Sequence, residues 1–228
     1  MLLKFAQNCP RFLIASLRTL KSDRLLGAAL ALCCMSLAAE PTATARLGTL
    51  LQQMRHFEAG FRQSLLDERG ELLQESEGRV QVRHPGRFRW QTTLPAEQLV
   101  VSDGTTVWQY DPDLMQAVTR PLDKRADQIP SLLLSGDIDA VARLCEITTE
   151  PPGDEQDESF RLLPHDSGDL FSALTVSFRA GVLQQLDIHD GMGQRTRVLF
   201  EGVDTSRETD EALFHFDPPP GVDVVNDE

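Results

Sequence analysis

The sequence predicts a mainly β fold: one curved antiparallel sheet of about eleven strands, with three main helices laid against it. Three observations carry that expectation. Residues 78–120 are short runs of aromatic and branched side chains separated by turn residues at Pro85-Gly86, Pro95-Ala96, Asp103-Gly104 and Asp111-Pro112, the chemistry of consecutive hairpins. Helical three-and-four spacing of apolar residues is confined to residues 43–57 and 123–145. After Cys145 strand-like runs resume, joined by tight turns such as Ala180-Gly181.

The chain opens on a segment that is set apart. Lys4, Arg11, Arg18, Lys21 and Arg24 precede an apolar run from Leu25 to Met35, and small residues follow at Ser36 and Ala38. Basic, apolar, small is the order of a secretory signal peptide, so residues 1–38 are read as a leader cleaved after Ala38 or Ala39 and residues 39–228 as a single domain. The apolar run is short for a membrane span. Leu30-Ala31-Leu32-Cys33 has the outline of a lipidation box, but bulky Leu32 directly before the cysteine argues against that use.

Leu47, Leu50, Leu51, Met54 and Phe57 recur at helical spacing, so residues 43–56 form an amphipathic helix with its apolar stripe available to a sheet. Six strands follow at about 58–66, 72–82, 87–94, 97–102, 106–111 and 116–121. Phe88 and Trp90 fall on one side of their strand with Arg87, Arg89 and Gln91 on the other, and Trp108 and Tyr110 repeat the two-residue spacing. Between Asp123 and Cys145 two short helices are expected, capped by Asp127 and Asp137 and broken at Ser135-Gly136. Five more strands follow at about 145–150, 158–164, 172–179, 182–190 and 194–203. Pro218-Pro219-Pro220-Gly221 must leave regular structure.

Composition narrows the function. Removing the leader takes away five basic residues and one acidic, leaving 17 Lys plus Arg against 34 Asp plus Glu and a formal charge of −17. Nucleic acid and anionic membrane surfaces are poor partners for such a chain. Three of the four cysteines lie in the leader, and Cys145, among Leu144 and Ile147, reads as a small buried hydrophobe with no disulfide partner. The chain has no GxSxG, HExxH, CxxC or phosphate-loop motif. His165-Asp166 and His189-Asp190 are adjacent pairs whose side chains diverge on a strand, which suits turns better than metal ligation. No metal or cofactor is expected, and a hydrolase built on paired carboxylates is the remaining catalytic alternative.

Several segments together resemble the periplasmic outer-membrane lipoprotein carrier family, LolA. They are Phe57-Glu58-Ala59-Gly60-Phe61-Arg62-Gln63, Gly78 with Val80 and Val82, Pro85-Gly86-Arg87-Phe88-Arg89-Trp90, Val101-Ser102-Asp103-Gly104 with Trp108, Tyr110 and Pro112, and the ending from Phe214 to Val222. The resemblance covers nearly all of the chain beyond the leader. It implies an incomplete, half-open antiparallel barrel under a helical lid, and a non-enzymatic periplasmic carrier. Such a carrier takes acylated lipoproteins from an inner-membrane ABC-type releasing complex and passes them to an outer-membrane lipoprotein receptor. An anchored receptor of the same fold is the nearest rival.

On this resemblance Val80, Val82, Phe88, Trp90, Leu99, Val101, Trp108 and Tyr110 are expected to line a lipid-binding cavity. Ile129, Leu132, Leu133, Leu134, Ile138 and Val141 are expected to form the lid. By pattern alone, aromatic stripes of this kind are ordinary core. The family usually places a basic residue, typically arginine, before the proline that opens the Phe-x-Trp strand, and it ties the lid to the barrel. Here that position is His84, with Arg83 beside it on the opposite face. Neutral imidazole offers one donor where guanidinium offers five, so either His84 holds the lid more weakly, at about Leu133 to Ser135, or Arg83 or Arg87 takes over.

Overall fold

The computed structural model describes residues 41–122, 133, 136–166 and 171–227. The expected leader and the first lid piece, with Ile129, Leu132 and Leu134, lie outside the described residues. Helix α1 (Ala43–Gln53) starts at Thr42, whose hydroxyl accepts from the Ala45 amide, and turns Leu47, Leu50 and Leu51 inward. It leads into β1 (His56–Leu66), β2 (Leu72–Arg83), β3 (Arg87–Leu94), β4 (Gln98–Asp103), β5 (Thr106–Asp111) and β6 (Gln116–Pro121). Helix α2 (Ile138–Leu144) follows, capped by Asp137, whose carboxylate accepts from the Ala140 amide at 2.9 Å. Then come β7 (Cys145–Glu150), β8 (Asp157–Pro164), β9 (Ala173–Arg179), β10 (Val182–His189) and β11 (Arg195–Asp204). A 3-10 turn (Glu211–Phe214) precedes a last strand, β12 (Asp223–Asn226).

All twelve strands form one sheet in the order β12-β6-β5-β4-β3-β2-β1-β11-β10-β9-β8-β7. Neighbours in sequence pair as hairpins, and β1 pairs with β11 to join the two halves. The edge strands β12 and β7 do not meet, so the sheet stays open. Each of the eleven expected strands is present, with ends within two residues of the expectation. The twelfth was not expected: β12 comes after the proline run and pairs with β6 in parallel, the one parallel pair of the sheet.

The sheet is rolled. Val82 on β2 and Val176 on β9 have β1, β11 and β10 between them, a separation of about 19 Å in a flat sheet. Both nevertheless border the same small void beneath α1. Side chains on the inner face form one core with the helices, including Phe57, Phe61, Val80, Phe88, Leu162, Val176 and Phe200. Close approach is built in at Gly48, where a Cβ would lie 3.1 Å from Ile138 of α2, so the two helices pack through that glycine.

Gly78 has a similar role in the sheet. Phe61 sits directly across from it, and the ring lies over the glycine to meet Trp90 at 4.2 Å between centroids. A Cβ at Gly78 would stand 2.0 Å from the Gln91 carbonyl oxygen and 2.7 Å from the Phe61 ring. Neither neighbour is a flexible side-chain end. We expect Gly78→Ala to cost about 2–3 kcal/mol, as overpacking does, read as a lower urea midpoint with an unchanged denaturant slope.

Candidate binding hollow

Residues paired across antiparallel strands share a face, so the register sorts the expected cavity residues. Val80 pairs with Trp90 and Val82 with Phe88, and Phe57 and Ala59 lie opposite Val82 and Val80 on β1. These four expected residues, Val80, Val82, Phe88 and Trp90, line the inner face. Trp90 is part of an aromatic chain, tilted against Phe61 and edge-on to Phe200 at 6.3 Å, with Phe200 edge-on to Phe57 at 5.4 Å. The stripe of α1 covers this face with Leu47, Leu50, Leu51 and Met54, and α2 and Leu133 add Ala140, Val141 and Leu133, all buried.

The other four expected residues are a correction. Trp108 pairs with Val101, which pairs with Arg89, and Tyr110 pairs with Leu99, which pairs with Gln91. Leu99, Val101, Trp108 and Tyr110 therefore stand on the outer face. The reason is register: two strands can repeat the same two-residue aromatic spacing and still present it to opposite sides. Their cover is the C-terminal segment, whose Phe216 stacks 5.7 Å from Trp108 and 5.3 Å from Tyr110. Half-buried Arg89 lies under the same segment and donates to the Leu213 carbonyl at 3.5 Å, and burial holds its pKa below the usual guanidinium value.

Arg83 is corrected in the same way. It follows Val82 on the strand and so points outward, to Glu208 and Glu211 at 3.8 and 3.6 Å, and Arg87 reaches Glu211 at 3.5 Å. Both arginines hold the C-terminal segment by these ion pairs. His84 instead lies at the inner rim, bordering the void together with Leu133. Its ring packs on Gly136, where a Cβ would come within 2.2 Å of Nδ1. Gly136 also has φ +76°, a backbone conformation that favours glycine. Leu134 and Ser135, also named in the expected contact, lie outside the described residues.

The covered hollow is full. Between Leu51, Met54, Phe57, Val82, Leu133, Val176, Leu183 and Leu186 there remains a void of about 10 Å³, the space of a single water. Just outside it, Leu51, Gln52, Arg55, His84, Pro85 and Gly136 line an open cleft of about 510 Å³. Sequence reasoning missed the second half of the lining, which includes Val176, Leu183, Leu186, Val198 and Phe200. The signal was present in alternations such as Leu174-x-Val176-x-Phe178 and Val198-x-Phe200. Among the described residues no group of three His, Cys, Asp or Glu side chains is placed to hold a metal ion.

Helix α1 is tied to the far half of the sheet by Arg46, whose guanidinium donates twice to Glu158 at 2.6 Å. Those hydrogen bonds hold the Glu158 carboxyl below its ordinary value against the opposing effect of burial.

The comparisons with known proteins bear on this arrangement. A family model described as outer membrane lipoprotein carrier protein LolA matches residues 52–217. The chain belongs to the LolA family. Outer-membrane lipoprotein carrier proteins of Pseudomonas putida (strain W619) and Azotobacter vinelandii (strain DJ) are 43% and 42% identical to this LolA-family chain. The matches cover 80% and 89% of it, and 85% and 97% of those relatives. A crystallised, uncharacterised conserved protein from Thermus thermophilus shares the LolA-like fold at TM-score 0.51 and 14% identity, over 80% of this chain and 98% of that one.

The contacts of the lid and of α1 each generate a test. Gly136→Ala should loosen α2, seen as increased binding of a dye that reports exposed apolar surface. Adding His84→Ala should restore closure in part, because it removes the steric clash and leaves the φ strain of about 1 kcal/mol. For Glu158 the sign is set by its depressed folded pKa. The stabilisation is full above the unfolded carboxyl value of about 4.3 and is lost as pH falls through the folded one. The stability difference between wild type and Glu158→Gln should stay level from about pH 8 to 5 and shrink below about pH 4 in urea titrations.

Proposed function

We propose that residues 39–228, freed of the leader, form a non-catalytic periplasmic carrier that takes lipoprotein acyl chains into the hollow beneath α1 and α2. The observation that carries this reading is an apolar inner face closed by the chain's own helices, with a void of only about 10 Å³ left. Membership of a family whose relatives are named outer-membrane lipoprotein carrier proteins supports it. Cargo arrives from an inner-membrane ABC-type complex, which supplies the energy, and leaves to an outer-membrane lipoprotein receptor.

Magnitudes favour a carrier over a trap. A 16-carbon chain leaving water gains about 12 kcal/mol. Reburial of Leu47, Leu50, Leu51 and Met54 is worth on the order of 6–12 kcal/mol to the lid. Cargo and lid compete for one surface, so their difference sets the affinity and release stays accessible. His84 against Gly136 is the catch of this lid, and imidazole makes it a lighter one than guanidinium.

The two tryptophans test the assignment, because Trp90 faces the hollow and Trp108 the C-terminal segment. With a brominated fatty acid as quencher, Trp108→Phe protein should lose most of its fluorescence on titration and Trp90→Phe protein should keep its own. Equal quenching of both would remove the hollow as the acyl site.

A further inference from the structure

Strand β2 runs further than one of its neighbours. On the β1 side its pairing continues to Leu72, whereas β3 leaves it at Glu77, where Leu94 is the last partner. Residues 72–76 therefore present one backbone edge with no strand partner among the described residues. At ~3.4 Å per residue this bare edge is about 17 Å long, and its midpoint lies about 34 Å along the strand from the rim at His84.

Exposed edges are normally blunted by lysine, proline or a covering element. This one carries Leu72 and Leu73, 57% and 54% exposed. Glu71 and Glu75 flank the two leucines along the strand, and both are exposed.

We propose that this edge is a docking site for an extended, basic segment of a partner protein, which adds a strand to β2 and seats apolar side chains against Leu72 and Leu73. Open backbone groups supply affinity in such strand addition, and neighbouring side chains supply the choice of partner. The carboxylates select a positive segment. They also disfavour an anionic bilayer, and a second copy of a chain with net charge −13. The site goes beyond the carrier reading, because it lies at the opposite end of β2 from the lid.

A photocrosslinking amino acid at position 73 of the full chain, activated in the living source bacterium, tests the proposal. Adducts should form with a protein whose crosslinked peptide is net positive. Leu72→Asp, and separately Glu71→Lys with Glu75→Lys, should lower the adduct about tenfold. Thermal unfolding and Trp90 quenching by the brominated fatty acid should not change. Adducts only with lipid, only with a second copy, or none would overturn the proposal, as would a yield indifferent to these substitutions. Such a result leaves the carrier reading standing, and an unquenched Trp90 would remove that reading without touching this one.

Discussion

A twelve-stranded sheet that rolls without closing has a wide apolar inner face and no opposing sheet to cover it. An uncovered face of that size is unstable in water and invites association. Among the described residues the fold meets this constraint with two helices drawn from different parts of the sequence, α1 from before the first strand and α2 from the link between the two halves. Their meeting depends on Gly48, which lets Ile138 come close, and on Arg46, which reaches across to Glu158 on β8. Cover that is a separate piece of chain, rather than another sheet, is cover that can be withdrawn.

The outer face is held differently. Trp108 and Tyr110 of β5 are capped by Phe216, and Arg83 and Arg87 fix the same segment by ion pairs to Glu211. These pairs are exposed enough that each contributes little alone. The backbone of β12 continues the attachment along β6. One sheet thus carries two covers: an inner one of helices over aliphatic and aromatic residues, and an outer one of extended chain. Strand β2 serves both, since Val82 points in and Arg83 out.

Much of this was legible in the sequence, and the failures have one cause. Strand positions follow from alternation and turn residues, which are local, and so they were found to within two residues. The helix cap at Asp137 and the glycine break at Gly136 are local as well. Which face a strand shows to the core is a matter of register across several hairpins, and spacing alone gave Trp108 and Tyr110 the same side as Phe88 and Trp90. The unplaced Phe214 and Phe216 were the available hint, because two aromatic residues beside a proline run need a surface of their own. Strand β12 was missed because four exposed residues pairing in parallel with a distant strand leave no local pattern. The resemblance to the family supplied the expectation of a lid and of a catch at His84, and the packing of His84 against Gly136 became visible only in three dimensions.

The central claim is that lid and acyl chains compete for one apolar surface. Hydrogen exchange of the backbone amides, with and without a triacylated lipopeptide, measures this directly, because displaced helices lose protection while the strands beneath them keep it. The account predicts faster exchange in α1 and α2 on binding, with β1, β2 and β11 unchanged. Unaltered protection of both helices at saturating lipopeptide, with changes confined to the outer face around Trp108, would contradict it.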